Sequence, residues 1–216
     1  MSRRVVVVDY GVGNLRSVAR ALEAVGAEPD VTDDVSAVAD AERLILPGVG
    51  AFRSCAEALE SRGLKQPVLD YFASGRPALG ICVGMQMLFE GSEEFGRTPG
   101  LGVMPGEVAA LNLTTADGAV IRSPFIGWSP LSPAAEERPD AWDGTILNGV
   151  APGSSVYFVH SFAACPIDEG QRLAISDYGA GSVCAAVRHG ALYGVQFHPE
   201  RSGPTGLKIL ANFVGL

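Results

Sequence analysis

Pro77-Ala78-Leu79-Gly80-Ile81-Cys82-Val83-Gly84-Met85-Gln86-Met87-Leu88-Phe89-Glu90 reads as a short apolar strand, a turn and a helical segment. The strand is expected over Pro77 to Ile81 and the helix over Met85 to Glu90. Small-x-nucleophile-x-small between strand and helix, here Gly80-Ile81-Cys82-Val83-Gly84, is the pattern of a nucleophile elbow. So tight a turn forces its central residue into a strained backbone conformation, and flanking glycines avoid a Cβ clash. The thiol then projects out of the sheet, and the unpaired N–H groups opening the helix favour thiolate, the form that attacks carbonyl carbon. Taken alone, the pentapeptide leaves a second reading open: a buried strand cysteine with glycines beside it by chance.

On the amino-terminal side, apolar and amphipathic runs alternate. Val5 to Val8 reads as a strand, and Leu15, Val18, Ala19, Leu22 and Val25 recur at helical spacing. Val31 begins a short strand, Leu44 to Leu46 is another, Ala51 to Leu59 is helical, and Val68, Leu69 and Phe72 mark a further helix. Such alternation predicts an α/β fold with a parallel sheet covered on both faces. From Gly102 to about Trp142, frequent Gly and Pro and short alternating runs such as Glu107 to Leu111 suggest a smaller antiparallel or irregular insertion. Strands follow at Val156 to Val159, Leu173 to Asp177, Ser182 to Arg188 and Ala191 to Phe197, then a last helix at Leu207 to Val214. No repeat or linker divides the chain, so residues 1–216 are expected to form one domain.

Gly194-Val195-Gln196-Phe197-His198-Pro199-Glu200 decides between the two readings of Cys82. His198 and Glu200 stand just past a strand end, where open α/β sheets collect catalytic groups. Pro199 fixes one φ angle in the turn that carries both. A cysteine nucleophile needs an imidazole to take its proton and later hand it to a leaving amine, and a carboxylate two residues on can hold that ring in the correct tautomer.

Cys, His and Glu in this chain order resemble the class I (triad) glutamine amidotransferases. Four further stretches resemble the HisH-type glutaminase subunits of imidazole glycerol phosphate synthase. They are Val7-Val8-Asp9-Tyr10-Gly11-Val12-Gly13-Asn14-Leu15-Arg16-Ser17-Val18, Leu46-Pro47-Gly48-Val49-Gly50-Ala51-Phe52, Tyr157-Phe158-Val159-His160-Ser161-Phe162 and the tail His198 to Lys208. The likeness covers nearly the whole chain. It implies a flavodoxin-like amidotransferase fold, with Cys82 the nucleophile, His198 the general base and acid, and Glu200 the residue orienting the imidazole. Glutamine would be hydrolysed to glutamate and ammonia through a glutamyl thioester. The ammonia would pass to a (β/α)8-barrel (HisF-type) partner that makes imidazole glycerol phosphate and AICAR in histidine biosynthesis.

The oxyanion formed on the way needs preorganised N–H donors. The N–H of Val83 is one candidate, and Val49 and Gly50 in Pro47-Gly48-Val49-Gly50 supply the other, two glycines there permitting a peptide flip. In the resembled family this loop can be inactive until the partner binds its substrate. The resemblance also assigns Gly48, Gln86, Glu94, His160, Ser161 and Phe162 to glutamine binding, with Glu94 at the α-ammonium. It assigns Asn14, Trp128, Tyr157 and Arg201 to the partner interface. Without the resemblance, Gln86 reads as an exposed helix residue and Glu93-Glu94 as a solvated pair. Gly11-Val12-Gly13 is not a dinucleotide loop, because the third glycine of G-x-G-x-x-G falls at Arg16.

Composition is consistent with a compact enzyme: 47% apolar, 19% charged, net charge −8, with only Lys65 and Lys208 as lysines. No basic stripe favours nucleic acid, and no apolar run reaches the ~20 residues of a membrane helix. Met1-Ser2-Arg3-Arg4 leads straight into a strand, which reads as cytoplasmic. Cys55, Cys82, Cys165 and Cys184 are scattered and read as free thiols, and with His160, His189 and His198 they make no metal-ligand spacing. Neither metal nor cofactor is expected.

One departure stands out. The resembled family carries Pro-His-Met-Gly-Trp-Asn where this chain has Pro124-Phe125-Ile126-Gly127-Trp128-Ser129. The segment is expected to face the partner, so Phe125 and Ser129 raise the alternative of a paralogous glutaminase serving another synthase. A catalytically lapsed scaffold and a hydrolase or protease using the same triad are the remaining alternatives. The intact triad and the terminal family segments argue against these two.

Overall fold

The computed structural model describes residues 3–112, 114–115, 117–121, 123–134 and 140–216. Met1, Ser2 and several positions of the expected insertion lie outside the described residues. The strands are β1 (Arg4–Val8), β2 (Glu28–Thr32), β3 (Leu44–Leu46), β4 (Ala78–Ile81), β5 (Gly91–Ser92), β6 (Thr98–Pro99) and β7 (Gly106–Ala110), followed by β8 (Phe125–Pro130), β9 (Ser132–Pro133), β10 (Ser155–His160), β11 (Phe162–Pro166), β12 (Arg172–Tyr178), β13 (Gly181–His189) and β14 (Leu192–Val195). The helices are α1 (Leu15–Ala24), α2 (Val35–Ala39), α3 (Phe52–Ser61), α4 (Lys65–Ala73), α5 (Val83–Gln86) and α6 (Gly203–Val214).

The main sheet has the order β2-β1-β3-β4-β14-β13-β12-β9. Its first five strands run parallel in the flavodoxin-like arrangement, and the last three are antiparallel. The expected mostly parallel sheet is therefore found, with its parallel strands on the catalytic side. Interior strands β3, β4 and β14 are buried at every residue, and β1 at all but Arg4, as continuous apolar runs demand in a sheet covered on both sides. Right-handed crossovers place α1 and α2 on opposite faces, because the chain steps from β1 out to β2 and then back past β1 to β3. Helix α1 packs with α6, and α2 with α4. Among the described residues, no helix is long and apolar enough to cross a membrane.

Several expected boundaries move. Strand β2 starts at Glu28 rather than Val31; it is an edge strand, so Pro29 is tolerated there and its polar residues carry no hydrophobic signal. The helix expected over Met85 to Glu90 is only Val83–Gln86. The carbonyls of Met87, Leu88, Phe89 and Glu90 accept instead from the N–H groups of Leu101, Val103, Met104, Gly102 and Gly100, so the incoming chain takes the bonds that further helix would need. Helix α6 begins at Gly203, with Pro204 at its start, and not at Leu207. The insertion expected as antiparallel is also wider than 102–142, and it is mixed, since β5 pairs parallel with β7 while β11–β7 and β5–β6 are antiparallel. It already includes β5, and a four-stranded sheet β11-β7-β5-β6 and a β10-β8 ribbon stand beside the main sheet.

Candidate active site

The site is built where β3, β4 and β14 end side by side. Leu46 pairs with Gly80, and Ile81 with Val195, so the loops after all three strands open at the same edge. Cys82 takes φ 54°, ψ −112°, the strained elbow conformation, and its N–H donates to the Val195 carbonyl at 2.8 Å. A Cβ on Gly80 would stand 2.7 Å from the Gly84 carbonyl oxygen, and one on Gly84 1.9 Å from that of Leu46. Both glycines are therefore imposed by backbone contact.

His198 lies three residues past Val195 and is buried. Its Nδ1 donates to Glu200 Oε1 at 2.8 Å, and its Nε2 has no protein hydrogen-bond partner. Burial pushes the imidazole pKa down, but contacts with Cys82 and Glu200 overcome this and raise it to about 10. Glu200 sits in the short 3-10 turn Pro199–Arg201. Ser202, which the sequence reading missed, locks that turn: its Oγ donates to the His198 carbonyl at 2.6 Å and accepts from the Tyr157 N–H at 3.0 Å. Gln196 was missed as well. It is fully buried, its Nε2 lies 3.7 Å from Cys82 Sγ, and its Oε1 accepts from Gln86 at 3.1 Å. A glutamine inside the apolar run Val195-Gln196-Phe197 was the available signal for it.

A cavity of about 380 Å³ opens above Cys82. Asn14, Val49, Gly50, Val83, Gln86, Glu94, His160, Ser161, Phe162, His198 and Arg201 all line it. Gln86 is buried and donates to Phe162 O at 2.8 Å, which corrects the reading of it as an exposed helix residue. Of the supposed solvated pair, Glu93 is exposed and lies beside Arg97. Glu94 is half-buried, and its Oε2 accepts from the Phe52 N–H at 2.7 Å, opening α3. His160 donates through Nδ1 to Phe162 O at 2.9 Å; burial and the neighbouring His198 hold its pKa near 4 despite that bond.

Gly48 lies outside the cavity lining. Its carbonyl accepts from the Val83 N–H at 3.3 Å, so in this arrangement the amide next to the nucleophile is engaged. Trp128 and Tyr157 lie outside the cavity lining, edge to face at 6.1 Å, and Arg201, which does line it, lies 4.4 Å over the Tyr157 ring. Ile126 and Trp128 are exposed, at 59% and 56%. Phe125 and Ser129 point inward, which corrects the expectation that their departure touches a partner-facing surface. Phe125 stacks on Tyr178 and Phe158 at 4.1 and 5.1 Å, and Ser129 Oγ accepts from Ser176 at 2.9 Å. The four cysteines are free thiols. Among the described residues no cluster of three or more His, Cys, Asp or Glu could hold a metal ion.

The family model described as "Glutamine amidotransferase class-I" matches residues 6–215. The chain aligns over 98% of its length with 99% of a solved glutamine amidotransferase, at TM-score 0.70 and 21% identity. It aligns over 100% of its length with 99% of a chain in the solved structure of PurLQS from Thermotoga maritima, at TM-score 0.67 and 22% identity. These two likenesses concern the fold. The chain belongs to the class-I glutamine amidotransferase family. It is also similar to proteins named imidazole glycerol phosphate synthase subunit HisH. It is 47% identical to that of Geobacter metallireducens, covering 97% of this chain and 96% of the relative. It is 45% identical to that of Syntrophotalea carbinolica, covering 97% and 98%. Its branch of the family is the HisH one.

Proposed function

We propose that the chain hydrolyses glutamine at Cys82 and delivers the ammonia to a (β/α)8-barrel partner that forms imidazole glycerol phosphate and AICAR. The observation that carries this reading is the β4–β14 register, which brings Cys82 beside His198 while Glu200 holds the far side of the ring at 2.8 Å. The names of the HisH relatives support the partner and the pathway. The inward packing of Phe125 and Ser129 removes the motive for a different synthase. Residues 1–216 act as one domain, in the cytoplasm.

Cys82 Sγ attacks the side-chain amide carbon while its proton passes to His198 Nε2, giving a tetrahedral oxyanion. Collapse breaks the C–N bond, and His198 returns the proton to the departing ammonia. The glutamyl thioester is then cleaved by water, which gives its proton to the same nitrogen, and protonation of the leaving sulfur restores Cys82. Glu200 keeps the hydrogen on Nδ1 and stabilises the imidazolium formed between steps. Glu94 meets the α-ammonium of glutamine, beside the side-chain oxygen of Gln86, whose NH2 donates to Phe162 and Gln196. The backbone of His160, Ser161 and Phe162 meets the α-carboxylate end; Gly48, outside the lining, acts through its peptide. Rotating the Gly48–Val49 peptide frees the Val83 N–H and presents that of Val49, so that two donors face the oxyanion, beside Gly50. Asn14, Trp128, Tyr157 and Arg201 form the rim that meets the barrel.

Glutamate release from glutamine by the chain alone, and then with the barrel partner and its nucleotide ligand, tests the reading. Weak release alone and a large rise with the loaded partner are expected. The absence of any rise would reject the partner.

A further inference from the structure

Three successive carbonyls after β3 are held by three different donors. Pro47 O accepts from the Tyr10 hydroxyl at 2.5 Å, Gly48 O from the Val83 N–H at 3.3 Å, and Val49 O from the Cys55 thiol at 3.4 Å. Tyr10 follows β1 and Cys55 lies on α3. Both are fully buried, neither lines the cavity, and the two lie close enough to influence each other electrostatically. Burial raises the pKa of both groups, which keeps each a protonated donor.

The middle carbonyl is the one that the chemistry must displace, since it occupies the Val83 N–H. Its neighbours are pinned from beneath by side chains that take no part in binding. Gly48 also packs hard on the elbow, where an added Cβ would stand 2.6 Å from the Gly84 nitrogen. A single-peptide rotation changes ψ of Gly48 and φ of Val49 in compensation and leaves the chain direction unaltered. It does so only if the peptides before and after stay in place.

We propose that Tyr10 and Cys55 are positioning residues for the oxyanion hole. They pin the peptides on either side of Gly48–Val49, so that rotation is confined to that one peptide and carries the Val49 N–H to where the Gly48 oxygen now stands. This rests on the glutaminase reading above. Without the pins, the Pro47 and Val49 carbonyls lose their donors and the loop samples arrangements in which the Val49 N–H misses the oxyanion. Deleting an oxyanion donor costs about 10²–10³ in kcat, so a loosened one costs about tenfold or more.

The test measures glutamine hydrolysis in complex with the ligand-loaded barrel for wild type, Tyr10→Phe, Cys55→Ala and Cys55→Ser. Alkylation of Cys82 by iodoacetamide, which needs no oxyanion hole, is followed by mass spectrometry alongside. Tyr10→Phe and Cys55→Ala should lose about tenfold or more in kcat, with KM for glutamine within about twofold and Cys82 alkylation unchanged. Cys55→Ser should recover most of the loss, because its hydroxyl can donate to Val49 O. Wild-type kcat in both deletions overturns the proposal. So does an equal loss in Cys55→Ser and Cys55→Ala with slowed alkylation, which marks a merely structural role. If Tyr10→Phe does not fold, the two Cys55 variants decide. A wild-type complex that releases no glutamate refutes the glutaminase reading itself, and the clamp with it.

Discussion

The amide of Cys82 donates to the carbonyl of Val195 at 2.8 Å, tying the nucleophile to the strand that leads to its base. Residues 113 positions apart are thereby held in one parallel register, and the loops beyond them share one cavity. The division of labour in the site follows from that bond.

Cys82→Ala removes the only thiol among the described residues that line the cavity. In the assembled complex, glutamine-dependent synthesis should fall by about 10³-fold or more, while synthesis from added ammonium salt stays within about twofold. Loss of both activities would reject the assignment of ammonia production to this chain alone.

Glu200→Gln removes the charge at His198 Nδ1, and kcat should drop by about 10²-fold or more with little change in KM. The imidazole pKa, raised to about 10 by Cys82 and Glu200 against burial, should fall in the variant. Because the folded value lies above the unfolded one of about 6.5, this group's contribution to stability is fully present below pH 6.5 and lost as pH rises through about 10. Ring titration by NMR and denaturation between pH 7 and 10 check both statements. An unmoved His198 pKa would remove Glu200 from this role.

His160 predicts the opposite limb. Burial chiefly, and His198 in addition, lower its pKa to about 4, so the unfolded chain takes up its proton first on acidification. Stability from this residue is present above about pH 6.5 and lost as pH falls toward 4, by about 3 kcal/mol in all. His160→Gln should flatten urea-denaturation midpoints between pH 6.5 and 4, and an undiminished slope would count against it.

Gly84→Ala forces a Cβ to 1.9 Å from the Leu46 carbonyl and should cost about 3 kcal/mol. Gly50→Ala meets no atom within 4 Å and carries only the strain of φ +90°, about 1–2 kcal/mol. Reversal of that order in denaturant melts would mean that the elbow yields where the backbone contacts say it cannot.

Trp128→Ala and Arg201→Ala should leave the melting of the isolated chain nearly unchanged for Trp128, which is 56% exposed, and slightly lowered for Arg201, which packs on Tyr157. Each should weaken assembly with the barrel by about tenfold or more in calorimetry. Unchanged affinity in both would move the interface elsewhere.

Gly80-Ile81-Cys82-Val83-Gly84 announced its own strained turn, because backbone contact at a tight elbow leaves no alternative to glycine there. Val5 to Val8, Leu44 to Leu46 and the spacing from Leu15 to Val25 likewise declared a parallel sheet with covering helices, since continuous burial and helical periodicity are written residue by residue. His198 and Glu200 were legible from their place after a strand. Edge strand β2 was misplaced because half-exposed polar residues leave no pattern. Helix α5 was overextended because the residues that stop it, Gly100 to Met104, lie beyond it in the chain. The inward turn of Phe125 and Ser129 depends on β8 pairing with β10, which no local signal encodes. The clamp of Tyr10 and Cys55 on Pro47 and Val49, like the engagement of the Val83 amide, exists only after distant segments pack. Local sterics and periodicity determined the elements and the reactive residues; which donor holds which carbonyl was decided by tertiary packing, because those partners meet through burial and not through sequence.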